Sequence, residues 1–114
     1  MDDSSSGVYP DQLQIWNFHT DWATPANSTF THATDLLTAA FNGNLCAGSR
    51  NCVPQAGTTR KLDAIGDRLM YRLQYRNFGT HQTLVTNHTV DVDGTDHAAI
   101  RWYELRNTGS GWGI

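Results

Sequence analysis

Apolar and polar positions alternate most regularly between residues 69 and 106, LMYRLQYRNFGTHQTLVTNHTVDVDGTDHAAIRWYELR, and this stretch organises the chain. Leu69, Tyr71, Leu73 and Tyr75 alternate with Met70, Arg72, Gln74 and Arg76. Successive strand side chains point to opposite faces, so an apolar row lies opposite a mostly polar one. Gly79 breaks the run, and Asp93-Gly94 supplies the residue pair that best tolerates positive φ in a tight hairpin. Three strands joined by two turns, a β-meander, are predicted.

Upstream, LQIWNFHTDW (13–22) predicts a strand with Leu13 and Ile15 on one face and Trp16, Phe18 and Trp22 on the other. Large residues on both faces predict a strand covered on both sides. Thr24-Pro25-Ala26-Asn27 ends it, and STFTH (28–32), with Thr bracketing Phe30, predicts a short partner strand. TDLLTAAF (34–41) stays open between a short helix, capped by Thr34 and stopped at Asn42-Gly43, and an extended strand. NTGSGWGI (107–114) begins a further turn and strand. Residues 1–12 are expected to be a flexible lead-in, because Ser and Asp without apolar spacing do not offset the entropy of ordering. Residues 13–114 then form a single β domain or part of a larger one.

The 114 residues hold eight basic and eleven acidic side chains, a formal charge of −3, and Lys61 is the single lysine. Nucleic-acid and anionic-membrane binding want clustered Lys and Arg, and the pattern gives neither. No apolar run approaches the ~20 residues of a membrane-spanning helix. The first ten residues, MDDSSSGVYP, have neither a basic nor an apolar region and do not read as a signal peptide. Two cysteines, few lysines, four tryptophans and two sequons, Asn27-Ser28-Thr29 and Asn87-His88-Thr89, nevertheless suit a secreted or extracellular setting. The expectation is a piece of a longer exported chain. Cys46 and Cys52 flank AGSRN in a loop rich in Gly, Ser and Asn, where a disulfide fits better than zinc or thiol redox chemistry.

Candidate chemistry is sparse. His19 and Asp21, two apart on the predicted first strand, form a pair that can ligate a metal or orient a base. They are also candidate catalytic residues, against a reading in which both serve neighbouring loops. Asp91, Asp93 and Asp96 crowd around Gly94 and offer a weak calcium set, although Asp-Gly is also the common way to write a hairpin. His88 is expected buried on the face of Leu84, Val90 and Val92, with His81 and His97 solvated in turns. Glu104 is the only glutamate, so a two-carboxylate glycosidase pair would draw on Asp. Trp16, Trp22, Tyr71, Tyr75, Trp102 and Tyr103 can stack on sugar faces, but alternating strand aromatics more often form core. No cofactor motif occurs.

RLMYRLQYRNFGTHQTLVTNHTVDVDG followed by AAIRWYELR resembles a recurrent segment of large exported bacterial proteins whose surroundings suggest β-propeller-like, sialidase-like repeats. WNFHTDWATPANSTFT and the Cys46–Cys52 loop fit the same segment, so the resemblance runs from about Leu13 onward. It implies a mainly β fold of antiparallel meanders, like one to two propeller blades or a small β-sandwich. A blade takes ~40–45 residues, so this length holds about two and does not close a ring. The segment carries no defined activity, and the leading expectation is a non-enzymatic structural or binding module with an extracellular glycan or protein partner. The alternative is a fragment of a sialidase-like or other glycoside-hydrolase propeller using His19, Asp21, Asp91 and Asp93. Blade faces left uncovered imply self-association or docking to neighbouring β repeats, with Trp16, Phe18, Ile100 and Trp102 at the interface.

Overall fold

The computed structural model describes residues 10–114, so most of the expected lead-in lies outside the described residues. The fold is mainly β, with 44% of the described residues in strand or bridge conformation and two antiparallel sheets. β1 (Gln12–His19) and β2 (Thr29–Leu37) form a two-stranded ribbon. β3 (Gln74–Asn77), β4 (Gln82–Asp91), β5 (Ala98–Asn107) and β6 (Trp112–Gly113) form a meander in sequence order.

The long β4–β5 pair is the backbone of the fold, in register from Gln82 opposite Asn107 to Asp91 opposite Ala98. That register puts Leu84 opposite Leu105, Thr86 opposite Tyr103 and His88 opposite Arg101 on one face. The inner side of the ribbon closes on this face. Leu13, Leu84, Tyr103 and Leu105 are the buried centre, with Ile15, Leu36, Leu69 and Trp112 packed around them. The 34–41 stretch, open between helix and strand, is strand through Leu37, because Leu36 pairs with Leu13 and reaches the core. Asp11, assigned to the lead-in on sequence, is buried. It accepts the Phe41 N–H on its carboxylate at 2.5 Å and the Thr38 N–H on its carbonyl at 2.9 Å, tying the chain ends of the ribbon together.

Two local readings are corrected. The first meander strand is short, with only Gln74–Asn77 paired. Beyond Val85 the edge of β4 is met instead by the Met70 N–H at Asn87 and by Asn42 at Asp91. Tyr71 (95% exposed) and Leu73 lie outside the ladder, and Tyr75, although paired with Leu84, also stays exposed, so the three do not form an inward row. The β4–β5 turn is also wider than a tight Asp-Gly hairpin. It closes with Val92 N–H donating to the His97 carbonyl at 3.1 Å, and positive φ falls at Gly94 (77°) and Asp96 (64°). The expected disulfide joins Cys46 to Cys52. The Cys46 N–H donates to the Asp96 carboxylate, which fastens that loop to the turn.

Candidate functional site

The most distinctive surface is the outer side of the ribbon. β1 and β2 pair in register from Gln12 opposite Leu37 to Ile15 opposite Thr34, and then the register slips so that Trp16 faces His32. The extra residue, Ala33, is a bulge. Because side chains alternate with period two, a one-residue slip moves every later residue to the other face. The slip therefore places His32 and Phe30, not Ala33 and Thr31, opposite Trp16 and Phe18. Trp16 and Phe30 stack with centroids 5.0 Å apart at 19°; Phe18 meets Phe30 edge-on at 6.4 Å, and His32 meets Trp16 edge-on at 5.2 Å. Polar groups close one end, where His32 Nε2 lies 2.8 Å from Asp35 and the Trp16 indole N–H donates to Gln14 at 3.3 Å.

These rings are exposed: Trp16 45%, Phe18 74% and Phe30 65%. The expectation of a strand covered on both sides is thus corrected, since only the Leu13 and Ile15 side meets another sheet.

A second uncovered surface is the outer side of the four-stranded sheet. Val85, Ile100 (74% exposed) and Trp102 (67%) lie there, opposite the face that holds Leu105 and Tyr103. Both faces contain residues expected at an interface, and the aromatics expected as core reduce to one buried ring, Tyr103. A shallow cavity of about 460 Å³ against β5 is lined by Phe41, Val90, Val92, Ile100 and Trp102 among others. A second cavity of about 440 Å³ lies between the disulfide loop and residues 63–67, with Arg50 and Asp63 on its wall.

The polar candidates are not brought together. β1 ends at His19, so His19 and Asp21 do not share a strand face. Asp21 instead organises its own loop, accepting the Ala23 and Thr24 N–H groups and the Asn27 side-chain amide. The Thr24 N–H, followed by the Asn27 amide, holds its carboxyl below the usual range. In the β4–β5 turn, Asp91 accepts the N–H groups of Asp93, Gly94 and Asp96, while Asp93 accepts from the Thr95 backbone and hydroxyl. The Thr95 hydroxyl and N–H, with His97 behind them, lower the Asp93 pKa. Asp96 serves Cys46. Of the three aspartates expected as a calcium set, Asp91 and Asp93 thus accept from donors of their own turn and Asp96 from the disulfide loop, and among the described residues no cluster of three or more His, Cys, Asp or Glu forms a metal set. Neither cavity is lined by His19, Asp21 or Asp93. Trp22 (89% exposed), Tyr71 and Tyr75 stand apart from the ribbon's stacked rings.

His88 is fully buried, as its strand face requires, although Val92 on the same alternation is exposed. Its Nε2 lies 3.0 Å from the Tyr103 hydroxyl, its ring stacks on Tyr103 at 5.5 Å, and Phe41 meets it edge-on at 4.7 Å. Arg101 covers Phe41 and Tyr103 and donates to the Ala40 carbonyl at 2.9 Å. Burial pushes the Tyr103 phenol up. This buried polar cluster fixes the 40–42 segment on the sheet. Comparison with protein-family models, curated proteins and solved structures finds no match to this chain.

Proposed function

We propose that this chain is a non-enzymatic β module of an exported bacterial protein that works by docking its uncovered apolar faces against other β-structure, either neighbouring β repeats or copies of itself. The observation that carries the reading is the placement of Trp16, Phe18, Phe30, Ile100 and Trp102 on outward faces of two sheets whose inward faces already share one core. At about 200 Å² per aromatic side chain, the exposed fractions of Trp16, Phe18 and Phe30 alone leave roughly 400 Å² of ring surface in water. That is the size of patch that marks an interaction site on a single chain. A four-stranded meander is also the unit that propeller-like repeats stack side by side. The Cys46–Cys52 disulfide suits an oxidising, extracellular compartment.

A glycan partner rests on a different observation, the open indole of Trp22 at the ribbon tip. The glycoside-hydrolase alternative draws no support from the carboxylates, since Asp21, Asp91 and Asp93 are occupied by their own loops. Light scattering over a range of concentrations tests the docking reading. A discrete mass above that of one 12.7 kDa chain supports it. One-chain mass at every concentration, with cooperative unfolding, counts against it.

A further inference from the structure

β5 is paired to β4 along its whole length, but on its other side β6 meets only Arg106 and Asn107. The direction of the remaining backbone groups follows from the ladder. In antiparallel pairs, bonded and non-bonded residue pairs alternate. The Val92 N–H donates to the His97 carbonyl, so Val92–His97 is a bonded pair and Asp91–Ala98 a non-bonded one. Two further bonds agree with this phase: Asp91 donates away from β5 to the Asn42 carbonyl, and Asn87 accepts away from β5 from the Met70 N–H. Ala98, Ile100, Trp102 and Glu104 therefore turn their N–H and C=O groups away from β4, toward the free edge. Among the described residues no backbone group meets them there.

Natural edge strands are guarded by proline, lysine, bulges or a covering loop, because unguarded ones pair with other chains. Residues 98–104, AAIRWYE, contain no proline or lysine, and the β4–β5 register runs through them without a bulge. The one cation, Arg101, is drawn inward to the Ala40 carbonyl. Ile100 and Trp102, the residues with outward backbone groups, also carry the exposed apolar side chains of the outer face. An occupant must thus be an extended strand with apolar side chains on alternate positions, and β5 itself has that description.

We infer that a second copy of this chain pairs its β5 antiparallel to this β5 about a two-fold axis, joining two four-stranded sheets into one. This rests on the docking reading above and names its partner. A closed two-fold pairing uses the same patch on both copies. An axis at Ile100 opposes the two Ile100 side chains and sets Trp102 against Ala98 of the other copy. An axis at Arg101 would oppose two guanidinium groups, which is unfavourable in directly facing pairs. Strand addition of this kind takes affinity from main-chain hydrogen bonds and specificity from the alternate side chains.

The test is sedimentation equilibrium on the wild-type chain, Ile100→Lys and Phe18→Lys, with far-UV circular dichroism to check folding. Ile100 is 74% exposed and outside the core, so a lysine there leaves the fold intact while placing two ammonium groups face to face in the paired state. The expected result is a wild-type dimer, at least tenfold weaker association in Ile100→Lys, and unchanged association in Phe18→Lys. A wild-type chain that remains monomeric overturns the pairing. A dimer indifferent to Ile100→Lys but lost in Phe18→Lys also overturns it, while leaving the docking reading in place with the ribbon as its surface.

Discussion

Removing the Phe30 ring should loosen the outer half of the ribbon without unfolding the body. Phe30 is the hub of the aromatic row, stacked on Trp16 at 5.0 Å and edge-on to Phe18 at 6.4 Å. Aromatic pairs contribute about 0.5–1.5 kcal/mol each beyond area burial, so Phe30→Ala loses about 1–3 kcal/mol of local stability. The loss stays local because Phe18, His19, Thr29 and Phe30 are all exposed, and the buried centre begins only at Leu13. An isolated two-stranded ribbon is marginal in water, so cross-strand ring contacts are what hold this one. At tenfold per 1.4 kcal/mol, amide exchange of residues 16–19 and 29–32 should accelerate about 5- to 150-fold. Exchange in β4 and β5 should not change. Hydrogen exchange read by mass spectrometry or NMR makes the comparison directly. Unchanged exchange in the ribbon would refute the idea that the rings hold it, and a parallel acceleration in β4 and β5 would refute its independence from the core.

Three further outcomes follow from the core, the disulfide and the carboxylates. Leu105 is 1% exposed at the centre of the core, and Leu105→Ala should cost about 3–4 kcal/mol, read by denaturant unfolding. Reducing Cys46–Cys52 removes a short-loop constraint worth about 2 kcal/mol in the chain-entropy account, and should speed exchange in residues 46–52 and in the turn that Asp96 fastens to them. Asp93 and Asp21 have lowered folded pKa values. Their contribution is therefore fully present above the unfolded value of about 3.9 and is lost as pH falls through the lowered folded values. NMR shifts of the Thr95 and Thr24 amides, followed from pH 6 to pH 2, should hold steady until below about pH 4 and then move; movement centred above pH 5 would contradict the bonding described.

The β4–β5 pair was legible because its alternation is regular over ten residues and a fully buried histidine fits the apolar phase of that alternation. The ribbon's pairing was legible in part: Leu13 and Ile15 inward and STFTH as partner both hold, but no propensity marks Ala33 as a bulge, and the bulge decides which β2 residues stand beside Trp16. The row from Leu69 to Tyr75 shows the opposite failure. Its alternation is as clean as that of β4, yet alternation describes a strand only where a neighbouring edge accepts it, and β4 pairs with Gln74 and Tyr75 but beyond them meets only the Met70 N–H of the row, leaving Tyr71 to Leu73 off the ladder. The aromatics were misplaced for a related reason. Residue type says that Trp16, Phe18 and Trp102 favour burial, while the surface that would bury them is not supplied by the sheets they belong to. Aspartates 91, 93 and 96 are close in sequence as a calcium loop requires, but Asp91 and Asp93 spend their oxygens on donors of the turn itself and Asp96 on the Cys46 N–H of the disulfide loop.

The central claim is that the outer faces of both sheets are docking surfaces. Hydroxyl-radical footprinting with residue-resolved mass spectrometry, across a concentration series that spans association, tests it most directly. Oxidation of Ile100 and Trp102, or of Trp16, Phe18 and Phe30, should fall as the chain assembles, while Trp22 and Tyr71 stay reactive at every concentration. Equal reactivity of all these residues from the most dilute to the most concentrated sample would contradict the account.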